Sequence, residues 1–539
     1  MKSLLISILI IYAFALVNAH TYESLGIDAI KKQEFENSIA KEYQFPIINI
    51  STRNNNELIL SNKNYTDCVV DIFNVEDDKA LRERSAGVKV RGNSSSYYKD
   101  VEKIKVNTVP YRIKFDKKVN LLGLHNGEKF KDWVLIKTGS KFIRNDIAYK
   151  FGKVIMEDKY FVTDSTHVNL YVNDVFQGIY VLCEQYKVNE KKVNITVPEK
   201  NYNGTDIGYY FEIDNFATYY DDEVEPYFTM DYENATVKDV LGEERQFVSS
   251  EYTLKSDFYC QEQLDFIGNY TKNVFKIIYL AAEKNDFKTF DENYHLVNAT
   301  FTSAEETITN VMDIESVVDM YLLYEIVHDY DVGEGSFYFA VDLSKNSKMP
   351  KLQMNTPWDF DWTYHDSPRR FWAGTFCETS FVESSGDRSN PWFIELLKQE
   401  WFFELAAQKW VSVSTAIKNK LREEEAYLDD HKEDLLKINP KVDSSIKVLT
   451  DWLRQRFEWM DEAFIPGHGI IIPSEEKPIE TEITSSTITD SPITTIINSI
   501  VETSFVDEVV TTTDSMEEVE VTEGIEMEQD SDDESMDEE

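Results

Sequence analysis

The chain has 539 residues and a formal charge of −43, from 98 acidic against 55 basic side chains. That balance leaves no basic field to draw nucleic acid or an anionic membrane surface, so both are excluded as partners. Hydrophobic residues make up 42% and aromatics 13%, enough for a packed core in roughly two to four domains, or one large domain with appendages.

Met1-Lys2-Ser3 leads into an apolar run from Leu4 to Val17, closed by the small residues around Ala19. This is the pattern of a secretory signal peptide over residues 1–19. The run is too short to span a bilayer comfortably, and nothing later is long and apolar enough to do so. The expected location is the secretory pathway, then the extracellular space or cell surface, with no transmembrane span. Asn-X-Ser/Thr sequons at Asn49, Asn64, Asn93, Asn194, Asn203, Asn234, Asn269 and Asn298 suit a glycosylated secreted protein. Cys68, Cys183, Cys260 and Cys377 are widely spaced. They allow two disulfides in any pairing and argue against zinc.

Residues 20–45 form a polar lead-in, helical or irregular. Strands are expected from Phe45 to Ile50 and from Cys68 to Phe73. Gly87-Val-Lys-Val-Arg-Gly-Asn-Ser94 is a strand running into a Gly/Ser turn. Such a turn suits backbone N–H groups laid over phosphates, and equally the polar loop of a hairpin. Tyr111-Arg-Ile-Lys-Phe115 alternates as a half-exposed strand does. Asp132-Trp-Val-Leu-Ile136 follows, then a helix from Ile143 that ends at Gly152. Val168 to Glu184 is a hairpin about the turn Asn173-Asp174. Residues 187–236 are read as peripheral strands and loops around Gly208-Tyr-Tyr-Phe-Glu-Ile213, and Gln261 to Glu283 as helical.

The centre of the chain is the stretch from Asp313 to Asp366. A helical run from Asp313 to Val327 breaks into the loop His328-Asp-Tyr-Asp-Val-Gly-Glu-Gly-Ser336. A strand-like run from Phe337, a Lys-rich turn and Pro357-Trp-Asp-Phe-Asp-Trp362 follow. Carboxylates at Asp331 and Asp359 thus lie 28 positions apart. Phosphoryl transfer uses such a pair, one orienting and deprotonating the attacking hydroxyl, the other holding the metal that neutralises the polyphosphate. Metal-dependent hydrolysis fits the same carboxylates but lacks an evident nucleophile or His ligand cluster. Pro357, Trp358 and Phe360 frame Asp359, where a hard Mg²⁺ or Mn²⁺ offsets the cost of enclosing the charge. Asp361 faces away from it if the segment is extended. His328 is read as a loop residue or helix cap, and Trp358 and Trp362 as core.

Beyond it, Pro391 to Leu397, Phe402 to Trp410 and Ile446 to Phe464 carry helical apolar spacing. Strands dominate the first half and helices the second, an α+β pattern in two lobes. From about residue 471 the chain holds 22 acids and one lysine. This Thr/Ser-rich, acidic tail, 471–539, is expected to be disordered.

Val90-Arg-Gly-Asn-Ser-Ser95, Pro110-Tyr-Arg-Ile-Lys-Phe115, Leu121-Leu-Gly-Leu124, Asp132-Trp-Val-Leu135 and Ile143-Arg-Asn145 form an ordered series. Leu170 to Glu184, Met320 to Glu325, Asp331, Pro357-Trp-Asp-Phe-Asp361 and Trp452 to Asp461 complete it. In this order they resemble the motifs of the spore-coat protein CotH kinase family and cover about residues 45–465, within a domain expected at 20–470. The resemblance implies an atypical protein-kinase-like fold with a β-rich N-lobe (about 45–215) and a helical C-lobe (about 255–465). It implies ATP with Mg²⁺ or Mn²⁺, and serines of secreted, coat or surface proteins as acceptors. Some fungal relatives are implicated in adhesion to host cells. The alternative is therefore a surface adhesin on the same scaffold without catalysis, binding a host or matrix ligand. Carried over by position, Asp331 is the catalytic residue and Asp359 a metal ligand, with Asp361 and Ser336 as supporting ligands. Arg91, Gly92, Asn93 and Ser94 form the phosphate-facing turn. Arg112 and Lys114 are phosphate-contacting bases, and Arg144 and Glu184 cleft residues.

Overall fold

The computed structural model describes residues 19–469 apart from 93–108, 138–142, 216, 218–224, 239–243, 248, 330–331, 346, 365–389 and 439. The lead-in contains helix α1 (Ala29–Ile39), capped by Asp28, whose carboxylate accepts the N–H groups of Ile30 and Lys31. Seven strands then close a barrel. They are β1 (Ile47–Thr52), β2 (Thr66–Phe73), β3 (Leu81–Val90), β4 (Tyr111–Val119), β5 (Phe130–Lys137), β6 (Ser165–Val172) and β7 (Val175–Glu184). Their order is β1-β2-β3-β4-β5-β7-β6, and β1 closes the ring by pairing in parallel with β6.

Alternation decides what fills the barrel. Tyr111, Ile113 and Phe115 of β4 point inward with Ile48, Val70, Trp133 and Leu182, while Arg112 and Lys114 face out. The β6–β7 turn has Asn173 and Asp174 at φ 53° and 65°, a primed turn matched to the twist of the strands. Asp174 Oδ1 also accepts Lys32 Nζ of α1 at 2.5 Å and Asn49 Nδ2 of β1 at 2.7 Å.

A second, five-stranded sheet has the order β16-β15-β8-β12-β9. Its strands are β8 (Gly208–Ile213), β9 (Tyr227–Met230), β12 (Ser250–Leu254), β15 (Phe337–Asp342) and β16 (Gln353–Asn355). Two short hairpins, β10 (Thr236–Lys238) with β11 (Glu244–Gln246) and β13 (Lys288–Phe290) with β14 (Leu296–Asn298), lie between them in sequence. The reading of 208–213 as peripheral is corrected here. β8 is wholly buried and central, pairing with β12 and β15 on its two sides. Strands and helices are also not segregated by half, because β15 joins this sheet from the second half of the chain.

The helices are α2 (Arg144–Met156), α3 (Gln261–Lys284), α4 (Ala304–Val311), α5 (Ile314–Val327), α6 (Pro391–Leu397), α7 (Glu400–Asp430), α8 (Lys432–Ile438) and α9 (Val442–Ala463). Helix α5 is apolar nearly all round, Asp319 and Glu325 apart, and buried from Ser316 to Val327, as such a helix must be. Its ends follow from Asp313 as N-cap and His328, left-handed at φ 51°, as C-cap. Helix α2 does not end at Gly152 as expected. It runs to Met156 and closes on left-handed Glu157. Gly152 instead permits close packing: an added Cβ would stand 3.2 Å from Leu323 Cδ2 of α5. Asp434 of α8 ties the helices to the barrel by accepting the N–H groups of Gln44 and Phe45 at 2.8 and 2.7 Å. Cys68, Cys183 and Cys260 are free thiols, and Cys377 lies outside the described residues.

Candidate active site

The loop after β16 departs from ordinary backbone several times. Thr356, Asp359 and Tyr364 have φ 55°, 62° and 55°, and Ser336, just before β15, has φ 56°. Each such position costs about 1–3 kcal/mol, and for β-branched Thr356 it is a true outlier. Packing offsets the strain. Trp358 is buried, with Tyr149 stacked at 5.6 Å, Tyr186 edge-on at 5.0 Å and the Arg91 guanidinium 5.4 Å over its ring.

The first turn of α2 clamps the same loop. Asn145 Oδ1 accepts the N–H of Phe360 at 2.8 Å, and Asn145 Nδ2 donates to Asp361 Oδ1 at 2.6 Å. Arg144 donates to the carbonyls of Asp361 and Thr363 at 3.2 and 2.6 Å. Arg144 therefore holds the loop's backbone.

Between these anchors the Asp359 side chain is exposed to solvent. Its carboxyl is pushed up to about 7, first by desolvation and then by the negative charge of Asp361. Arg91 and a hydrogen bond from Ser336 pull it back. Water reaching the group tempers the push without removing it. The left-handed Asp359 turns the chain, so Asp361 does not face away as an extended run requires. Its charge reaches Asp359. Two carboxylates and a hydroxyl make an all-oxygen donor set carrying unrelieved negative charge, which suits a hard divalent cation. Among the described residues no cluster of three His, Cys, Asp or Glu side chains could hold a metal ion.

The structure brings together Arg91, Asp359, Asp361 and Ser336, with Arg144 behind them. Gly92 follows Arg91 at φ 89°, a conformation open to glycine at little cost. Asn93, Ser94 and Asp331 lie outside the described residues. The chain flanking 331 is anchored: Asp329 N–H donates to the Tyr324 carbonyl at 3.3 Å, and Asn390 Nδ2 to that of Val332 at 3.3 Å. Arg112 and Lys114 lie on the barrel's outer face. Arg112 pairs with Asp132 at 3.0 Å, and Lys114 lies 5.9 Å from the centre of the Tyr65 ring.

Glu184 forms a separate buried cluster. Desolvation raises its carboxyl to about 7. It pairs with His125, itself lowered to about 4, and accepts the Asp164 N–H at 3.3 Å. Lys192, lowered to about 8 by burial, is the cation facing it. Trp358 is core as expected, whereas Trp362 is 52% exposed and so not core.

The family described as CotH kinase protein matches residues 88–460. The chain belongs to the CotH kinase family. No curated protein matches it. The CotH span opens within β3 and closes within α9, so it includes Arg91, Ser336, Asp359 and Asp361. It omits β1 and β2, which the barrel nevertheless needs to close.

Sequence reasoning passed over Asn145, Tyr186, Glu212 and Lys255. Glu212 adds negative charge toward Asp359 and is itself held by Lys255 at 3.0 Å. The one available signal was a lone acid inside the apolar run of β8, since a buried carboxylate needs a partner.

Proposed function

We propose that this CotH-family protein is an ATP-dependent protein kinase. It transfers the γ-phosphoryl group to Ser or Thr hydroxyls of secreted or surface proteins, in a kinase-like arrangement of β-rich and helical parts. The observation that carries the reading is Asp359, held in a strained turn beside Asp361 and Ser336 with its carboxyl raised toward neutrality. Enzymes hold titratable groups in such conditions where chemistry is done.

In this reading Asp331 orients the acceptor hydroxyl and takes its proton, and Asp359, with Asp361 and Ser336, holds Mg²⁺ or Mn²⁺. The cation would neutralise polyphosphate charge at the point of transfer. Arg91 and the turn from Gly92 to Ser94 face the phosphates. Arg144 and Asn145 keep the loop in register, and Glu184 borders the cleft. Arg112 and Lys114, on the barrel's outer face, would supply positive charge to the phosphates. The protein acts in the secretory pathway, and its own tail serines Ser515, Ser531 and Ser535, each with acidic neighbours, are acceptors.

Intact mass of the secreted, deglycosylated protein before and after incubation with ATP and Mn²⁺ tests this. Steps of about 80 Da per phosphoryl group are expected in wild type and not in Asp331→Ala or Asp359→Ala. No added mass, with no thermal shift from ATP, would leave the adhesin alternative.

A further inference from the structure

The Lys-rich turn between β15 and β16 takes no part in the site above. Lys345, Lys348 and Lys351 are all exposed, and among the described residues no carboxylate pairs with Lys345 or Lys348. Lys351 donates to the Thr309 carbonyl at 2.5 Å, an uncharged acceptor that leaves its positive charge standing. Elsewhere in this acidic chain lysines are commonly neutralised, as Lys150 is by Asp146 and Lys398 by Glu283.

The turn walls a cleft of about 380 Å³. Lys348, Met349 and Lys351 form one side, and Met312, Ile314 and Glu315 the other. Of the two acids here, only Glu315 is met by a cation among the described residues; Asp313 keeps its charge but is turned onto neutral donors. Asp313 accepts the Tyr160 hydroxyl at 3.0 Å and the Gln353 amide at 2.7 Å, and Glu315 pairs with Lys159. The first turn of α5 opens onto the same cleft, and its N–H dipoles add to the positive side. An apolar floor under uncompensated lysines fits an acidic peptide. Strand β15 separates this turn from Ser336, so the cleft lies about 20 Å from Asp359 at strand rise.

We propose that this cleft is a docking surface for an acidic segment of the protein acceptor, remote from the phosphoryl-transfer site; only the word acceptor rests on the kinase reading. An extended peptide covers about 3.4 Å per residue. The docked acids therefore sit roughly six or more residues from the serine presented to Asp331.

The test uses full-length protein without nucleotide and a fluorescein-labelled decapeptide of Asp and Glu with one Ser, read by anisotropy. Wild type and Asp359→Ala are expected to bind alike, and more weakly as salt rises. Lys345→Glu/Lys348→Glu/Lys351→Glu should bind about tenfold more weakly, each lost contact being worth a few tenths of a kcal/mol. A control with the same charge change at remote lysines, Lys31→Glu/Lys191→Glu/Lys447→Glu, should bind as wild type. Equal binding by the cleft variant, an equal loss in the control, or no binding by wild type would overturn the proposal. If no phosphate is added in the mass assay but the peptide still needs the three lysines of the turn, docking stands and the kinase reading alone falls.

Discussion

A carboxylate set into an apolar frame must find a cation or take up a proton, because the charged form loses its water. Asp359 meets Arg91 and Ser336 on one side and Asp361 on the other, and the balance leaves it short of positive charge. Asp319, inside α5, shows the same physics away from the site. It is fully buried, pairs with Lys409 at 2.8 Å and titrates at about 6 instead of 3.8, chiefly through desolvation. Its folded pKa lies above its unfolded one, so the folded chain holds a proton that the unfolded chain releases between about pH 4 and 6. The stability it contributes is present below that window and lost as pH rises through it. Asp319→Asn removes the loss. Urea unfolding should show the wild-type-minus-variant stability falling by on the order of 2 kcal/mol from pH 4 to pH 7. A difference that does not change with pH would refute this account.

Among the elements, α5 carries the most. It runs through the core and delivers the chain toward residue 331, and its last turn is held from α9. Arg456, with no solvent exposure, donates to the Glu325 carboxylate at 2.5 Å and to its carbonyl at 2.8 Å. Arg456→Leu leaves Glu325 buried without that partner and should cost about 3–5 kcal/mol in the urea midpoint. The double variant Glu325→Leu/Arg456→Leu should recover most of that, since a buried pair is worth little against apolar packing. A single variant as stable as wild type would show that the pair does not hold the helix end. The limits of α5 were legible because Asp313 and the polar loop from His328 bracket an apolar run. The end of α2 was not. A glycine reads as a stop, yet Gly152 is there for contact with Leu323, which only the folded neighbour reveals.

On the scale of the whole molecule, the barrel and the helices share one body through Asp434 and through a sheet whose strands come from both halves. Asn64, Asn194, Asn203, Asn234, Asn269 and Asn298 are exposed, whereas Asn49 is buried in β1 with its amide on Asp174. A glycan on Asn49 is incompatible with the closed barrel. For protein expressed through a eukaryotic secretory pathway, glycopeptide mass spectrometry should find sugar at several of the six exposed positions and an unmodified Asn49. Glycan on Asn49 in folded, monodisperse protein would contradict the barrel closure.

The sequence by itself determined the strands of the barrel, the helices α3, α5 and α9, the start of α7 and the Pro357–Asp361 stretch, because periodicity and turn chemistry are local. It also carried the order of motifs that marks the family. Only the tertiary structure decided that the barrel closes, that β8 is central, and that Arg144 and Asn145 clamp the loop from 216 positions away. It also showed Arg112 and Lys114 on the barrel's outer face, with Arg112 on Asp132. Strand order, the partner of a buried charge and a left-handed turn at Asp359 each depend on distant residues meeting, and no local pattern encodes where they meet.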